Sequence, residues 1–147
     1  MKIKEKISET LTNVSRLDEM ERKHRIMLPE DYRLFLITTN GGRPVERRFS
    51  FIEHGKQTNG AIGWFFGDCD DADYGISSNW KTYNDRIPPA FFPIATDAFG
   101  NLILLSCRDE DRGAIYFWDH EKESDVPSMT NMFRVANSFS EFVEHLV

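Results

Sequence analysis

Residues 28–42, LPEDYRLFLITTNGG, carry a helix start, an apolar face and a helix stop within fifteen positions. Pro29 suits the first helical position, where its missing N–H costs nothing and its φ is already helical. Glu30 and Asp31 fall in the first turn, where the helix dipole favours negative charge. Tyr32, Phe35, Leu36 and Thr39 recur as i, i+3, i+4 and i+7, and Leu34 and Ile37 widen the face. A stripe that wide predicts burial on more than one side. Asn40 and Gly41 tolerate the left-handed conformation that ends a helix, and Pro44 prevents its resumption. The segment holds no nucleophile–base pair and no metal-ligand cluster. Asn40-Gly41-Gly42 ends a helix, whereas a phosphate-binding glycine turn precedes one.

Upstream, SRLDEMERKH (15–24) reads as a helix with Ser15 as N-cap and Asp18 completing a weak capping box. Ile3, Ile7 and Leu11, at intervals of four, predict another short helix. Downstream the period changes to two. RRFSFIE (47–53) turns Phe49 and Phe51 inward, and AIGWFFGD (61–68) reads as a second short strand. ISSNWKTYNDRIPP (76–89) predicts a short helix stopped before Pro88. Residues 91–121 give three strands, with Asp97 to Gly100 supplying the first turn. NLILLS (101–106) is nearly all apolar, as a central strand covered on both faces should be. SFSEFVEHL (138–146) predicts a closing helix capped by Ser138. Helices, then an antiparallel meander, then a helix make an α+β fold: a mostly antiparallel sheet packed by N-terminal helices and a C-terminal helix, one domain over 1–147.

The bulk numbers bound the function. Hydrophobic residues at 40% and charged residues at 29% describe a globular protein with a sizeable core. No apolar run reaches the ~20 residues of a membrane span, and the charged start lacks a signal peptide's apolar centre, which predicts a cytoplasmic protein. Cys69 and Cys107 make neither a zinc spacing nor a CxxC pair and are read as reduced small hydrophobes. Net charge is −6, unevenly spread: residues 1–60 carry twelve Lys/Arg against nine Asp/Glu, and residues 61–147 six against fifteen. So acidic a second half argues against nucleic acid as a partner and suits a basic protein. Solubility alone would also account for it.

Four separated pieces resemble one family. LPEDYRLFLITTNGGRP is similar to the Leu-Pro-x-x-Tyr-x-x-Phe-Leu…Asn-Gly-Gly signature of the SUKH superfamily. FFPIATDAFGNLILLS resembles its Pro-Ile-Ala-x-Asp…Gly-Asn strand pair, GAIYFWDHE the strand that follows, and VANSFSEFVEHL its closing helix. Order and spacing agree from about residue 15 to residue 146. The resemblance implies an α+β fold and a non-enzymatic binder with no catalytic residues and no cofactor. Many bacterial members are immunity proteins that neutralise toxins, often nucleases, of polymorphic or contact-dependent systems. Fungal relatives of the cell-wall-assembly-regulator type are interaction modules instead.

Among candidate sites, DCDDADYG (68–75) places Asp68, Asp70, Asp71 and Asp73 together, with Tyr74 beside them. As a calcium loop it fails at Ala72, Asp73 and Asn79, so no metal is expected. As an acidic loop near aromatics it is a candidate partner-binding patch, the alternative being a solvated loop over core rings. WDHEKESD (118–125) offers Asp119, His120, Glu121, Glu123 and Asp125. An alternating strand would send Asp119 and Glu121 to one side and His120 to the other, which splits any acid–base trio. Its acids join the same expected partner surface. The expected protein is therefore an immunity protein, monomer or weak homodimer, binding a basic toxin domain through Asp68, Asp70, Asp71, Asp73, Tyr74, Glu121, Glu123 and Asp125, with no nucleic-acid or membrane partner. The alternative is a regulatory interaction module unrelated to toxins.

Overall fold

The computed structural model describes residues 1–147. The chain runs β1 (Ile3–Glu5), α1 (Val14–His24), α2 (Glu30–Thr38), β2 (Arg43–Pro44), β3 (Arg48–Glu53), β4 (Lys56–Ala61), β5 (Trp64–Phe65), α3 (Ile76–Tyr83), β6 (Phe91–Thr96), β7 (Leu102–Ser106), β8 (Ile115–Trp118), a 3-10 turn at His120–Lys122, β9 (Met132–Ala136) and α4 (Phe139–Glu144). The five-stranded antiparallel sheet has the order β5-β6-β7-β8-β9. β7 is its middle strand and every residue of it is buried, as its unbroken apolar run predicts. Two bonds between Gly42 and Phe65 (3.0 and 2.9 Å) join the small β1–β2 pair to the β5 edge. No helix is long and apolar enough to cross a membrane.

α2 is the expected helix with narrower sides. Pro29 is its N-cap (φ −60°, ψ 148°), one position earlier than expected, and its carbonyl accepts the first helical bond from Arg33 N at 3.0 Å. Tyr32, Phe35 and Leu36 are buried, but Leu34 is 61% exposed and only half the anticipated widening occurs. The buried rings meet α4 and β5. Tyr32 and Phe35 lie 5.2 and 5.0 Å from the Phe139 ring, and Phe35 lies 5.3 Å from Phe65. Asn40 takes φ 56° and Gly41 φ 81°. A Cβ on Gly41 would sit 2.7 Å from the Phe65 and Phe66 carbonyl oxygens, so the second requirement there is close backbone approach.

Several local expectations are overturned. Residues 3–5 form a strand, because Ile3 packs over Gly42 and pairs with Pro44, and Leu11 is exposed. Three apolar residues in nine do not nucleate a helix without a core to bury them. α1 is capped by Asn13, whose Oδ1 accepts from Arg16 N at 3.0 Å, and Ser15 lies inside the helix. The β3–β4 hairpin was half hidden: Phe49 and Phe51 point inward as expected, while KQTNGA has no alternation to reveal β4. His54 (φ 50°) and Gly55 (φ 80°) make the two-residue turn between Glu53 and Lys56 that fixes the register. Phe49 and Phe51 then pack on Phe117, Phe133 and Phe142. Strand β9 was likewise unmarked in sequence.

Candidate interaction surface

The helix stop of α2 builds the first acidic loop. The Asn40 side chain is almost fully buried and works as a clamp: its Oδ1 accepts from Asp68 N (2.7 Å), and its Nδ2 donates to Asp68 O (3.1 Å) and Thr10 O (3.2 Å). Gly67 fits beneath it, since a Cβ there would lie 2.4 Å from Asn40 O. Asp68 is engaged within the fold. Thr12 Oγ1 donates to it at 2.5 Å, and Arg16 binds it through Nε and Nη2 at 2.8 and 3.0 Å, leaving its side chain 9% exposed. The Arg16 guanidinium holds this carboxyl below its ordinary range, against partial burial. Asp68 is therefore a strap between α1 and the loop.

The rest of that loop is more open. Asp71 accepts from Asp73 N and Tyr74 N at 2.9 and 2.8 Å, so it shapes the turn while staying exposed. Asp70 and Asp73 are exposed and form no ion pair within the protein. Tyr74 is half-buried and stacks on Trp64 at 4.5 Å with an 18° interplanar angle. Its ring is therefore engaged on one face.

The second acidic segment leaves β8 and re-enters at β9. Asp119 and Asn131 close its neck through two bonds, Asp119 N to Asn131 O (3.0 Å) and Asn131 Nδ2 to Asp119 O (2.9 Å). Asp119 also caps the 3-10 turn by accepting from Glu121 N, so the expected strand alternation at His120 does not occur. Glu123 is consumed internally: Arg86 Nε and Nη2 donate to it at 2.9 and 2.8 Å, and Arg86 lies 4.9 Å from the Tyr83 ring. Arg86 accordingly depresses the Glu123 pKa. Glu121 and Asp125 are exposed and form no ion pair.

The two segments sit at opposite ends of α3. The first feeds the start of α3 through Gly75, and the second is tied by Glu123 to Arg86 beyond the α3 end. Eight helical residues, about 12 Å, lie between them. Acids of the β7–β8 connection, at the other end of the sheet, are also internally matched: Asp111 binds Ser106, Arg108 and Tyr116, and Asp109 pairs with Arg112. No three His, Cys, Asp or Glu side chains converge as a metal-ligand set. Cys107 is buried, which pushes its thiol up to about 12, and Cys69 is raised for the same reason.

The sequence pattern gave no warning of the apolar side chains at the acidic end of the sheet. Phe99 is 78% exposed at the tip of the β6–β7 hairpin, and Val126 is 74% exposed in the β8–β9 segment. The two loops touch: His120 N donates to Asn101 Oδ1 at 3.1 Å, and the His120 ring lies over Gly100. On the other flank of the hairpin, a 380 Å³ cleft is lined by Arg43, Arg47, Trp64, Tyr74, Asp97 and Ala98. A phenylalanine inside a turn motif reads as a core ring until the turn is built.

Comparison with known proteins adds two findings. The SMI1 / KNR4 family (SUKH-1) matches residues 12–145. The SPbeta prophage-derived uncharacterized protein YokK of Bacillus subtilis (strain 168) is 34% identical over 148 aligned positions, covering 89% of this chain and 72% of that protein.

Proposed function

Because the chain belongs to the SMI1 / KNR4 family (SUKH-1), we propose that it is a non-enzymatic immunity protein that binds and neutralises a cognate toxin of a bacterial polymorphic or contact-dependent system. Family membership is the observation that carries the reading. The similarity to a prophage-derived protein supports a bacterial setting. The protein acts in the cytoplasm, by stoichiometric contact, and needs no cofactor. A toxin that grips phosphate presents cations, and a chain of net charge −6 is steered toward them and competes with the anionic substrate. Of the acids expected to meet the partner, Asp70, Asp73, Glu121 and Asp125 remain free to do so. Asp68, Asp71 and Glu123 position the loops that carry them.

Co-expression with a candidate toxin domain, sought in the reading frames that neighbour this one, tests this reading. Growth is restored when this chain is present and lost again when it is omitted. Unrelieved killing at matched expression would overturn it in favour of a regulatory interaction module.

A further inference from the structure

The tip of the β6–β7 hairpin is a rigid apolar projection. Asp97 Oδ1 accepts from Phe99 N (2.7 Å) and Asn101 N (2.9 Å), and its Oδ2 accepts from Asn101 Nδ2 (2.8 Å). One carboxylate thus fixes the whole turn, with Gly100 at φ 86° and Phe99 directed away from the core. An anchor ordered before contact loses little entropy on binding, and aromatic anchors dominate interface energetics. Its two flanks differ in charge. The β8–β9 segment contributes Glu121 and Asp125, which have no cation, together with exposed Val126. The cleft on the other flank contributes Arg47, which reaches only the Ile62 carbonyl (3.3 Å), beside Arg43, already paired with Glu5.

We infer that Phe99 is the docking anchor, inserted into an apolar recess of a protein partner that presents cations to Glu121 and Asp125 and an anionic group to Arg47. This inference rests on the proposed toxin-binding function and names the part of the surface that performs it. Opposite charges on the two sides of one ring fix orientation as well as attraction, because a partner turned half a revolution meets like charge on both flanks. Of the loop at residues 67–75, Tyr74 on the cleft wall then borders the contact, and Asp70 and Asp73 lie outside its centre.

The toxin domain that this chain protects against in the co-expression test, in an inactivated form and immobilised on a surface, is titrated with wild-type chain, Phe99→Ala, Phe99→Leu, the pair Glu121→Lys/Asp125→Lys, and the pair Asp70→Lys/Asp73→Lys. Thermal unfolding of each variant is recorded alongside. Phe99→Ala weakens binding by roughly 30-fold or more, chiefly through faster dissociation, with an unchanged melting profile. Phe99→Leu recovers part of the loss, the 121/125 pair slows association, and the 70/73 pair stays within about threefold of wild type. Wild-type binding combined with an unaffected Phe99→Ala would overturn the anchor and leave the toxin-binding function standing. A wild-type chain that does not bind would overturn both.

Discussion

Asn40 shows how much one side chain can organise. Its positive φ ends α2, and its carboxamide holds the backbone at residues 10 and 68 through three bonds. Asn40→Gly tolerates the same φ, so the stability that it loses reports the carboxamide bonds and packing together with glycine's larger unfolded-state entropy, without backbone strain. A loss of about 1–3 kcal/mol in urea unfolding is expected, because buried backbone groups are left unpaired. Asp68 is the next link, and its effect depends on pH. Its folded pKa is depressed, so its contribution is present above the unfolded carboxylate value of about 3.9 and is lost as pH falls through the folded value. The stability advantage of wild type over Asp68→Asn therefore shrinks on acidification, as denaturant midpoints across the acid range will record. The LPEDY…NGG stretch announced the helix and its stop. It did not announce the clamp, because hydrogen bonds to positions 30 and 28 residues away have no local signature.

The central element of the fold is β7, bonded on both edges and covered on both faces. Leu104→Ala removes a fully buried side chain there and is expected to cost about 2–5 kcal/mol without changing the denaturant slope. Amide exchange should rank the strands in the same way. Amides of β7 exchange slowest, whereas Gln57 and Asn59 of β4 exchange fast. Their N–H groups point away from β3, since Phe49–Gly60 and Phe51–Thr58 are the bonded pairs when Arg48 N turns outward to Val147 O (2.9 Å). The legible elements were those with a buried face: α2, β3, β6 to β8, α3 and α4 all have apolar spacing that betrays their period. The illegible ones were tertiary products. β1 exists because Gly42 admits Ile3, and β4 because the His54-Gly55 turn delivers a polar segment to β3. For β9, Met132 and Ala136 are buried while its centre is half-exposed, so its pattern is diluted.

Across the whole molecule, net acidity is a poor guide to which acids are left unpaired. Residues 61–147 hold most of the negative charge, yet Asp68, Asp109, Asp111 and Glu123 are matched by arginines within the fold. The unpaired acids of the two segments lie toward opposite ends of α3, and the exposed ring of Phe99 belongs to the hairpin that touches the β8–β9 segment. The sequence indicated the acidic segments and the family, but placing those segments required the ion pairs that span 37 to 52 residues of chain. The long-range field of the molecule still acts as a unit, with a sequence pI near 5.2. Toxin binding by this acidic chain is read most directly from its association rate with the inactivated cognate toxin domain at low and high ionic strength. A rate that falls severalfold or more between about 20 mM and about 500 mM salt, ending in a one-to-one complex, is the predicted result. An absence of binding, or an association rate indifferent to salt, would rule out an electrostatically steered toxin inhibitor.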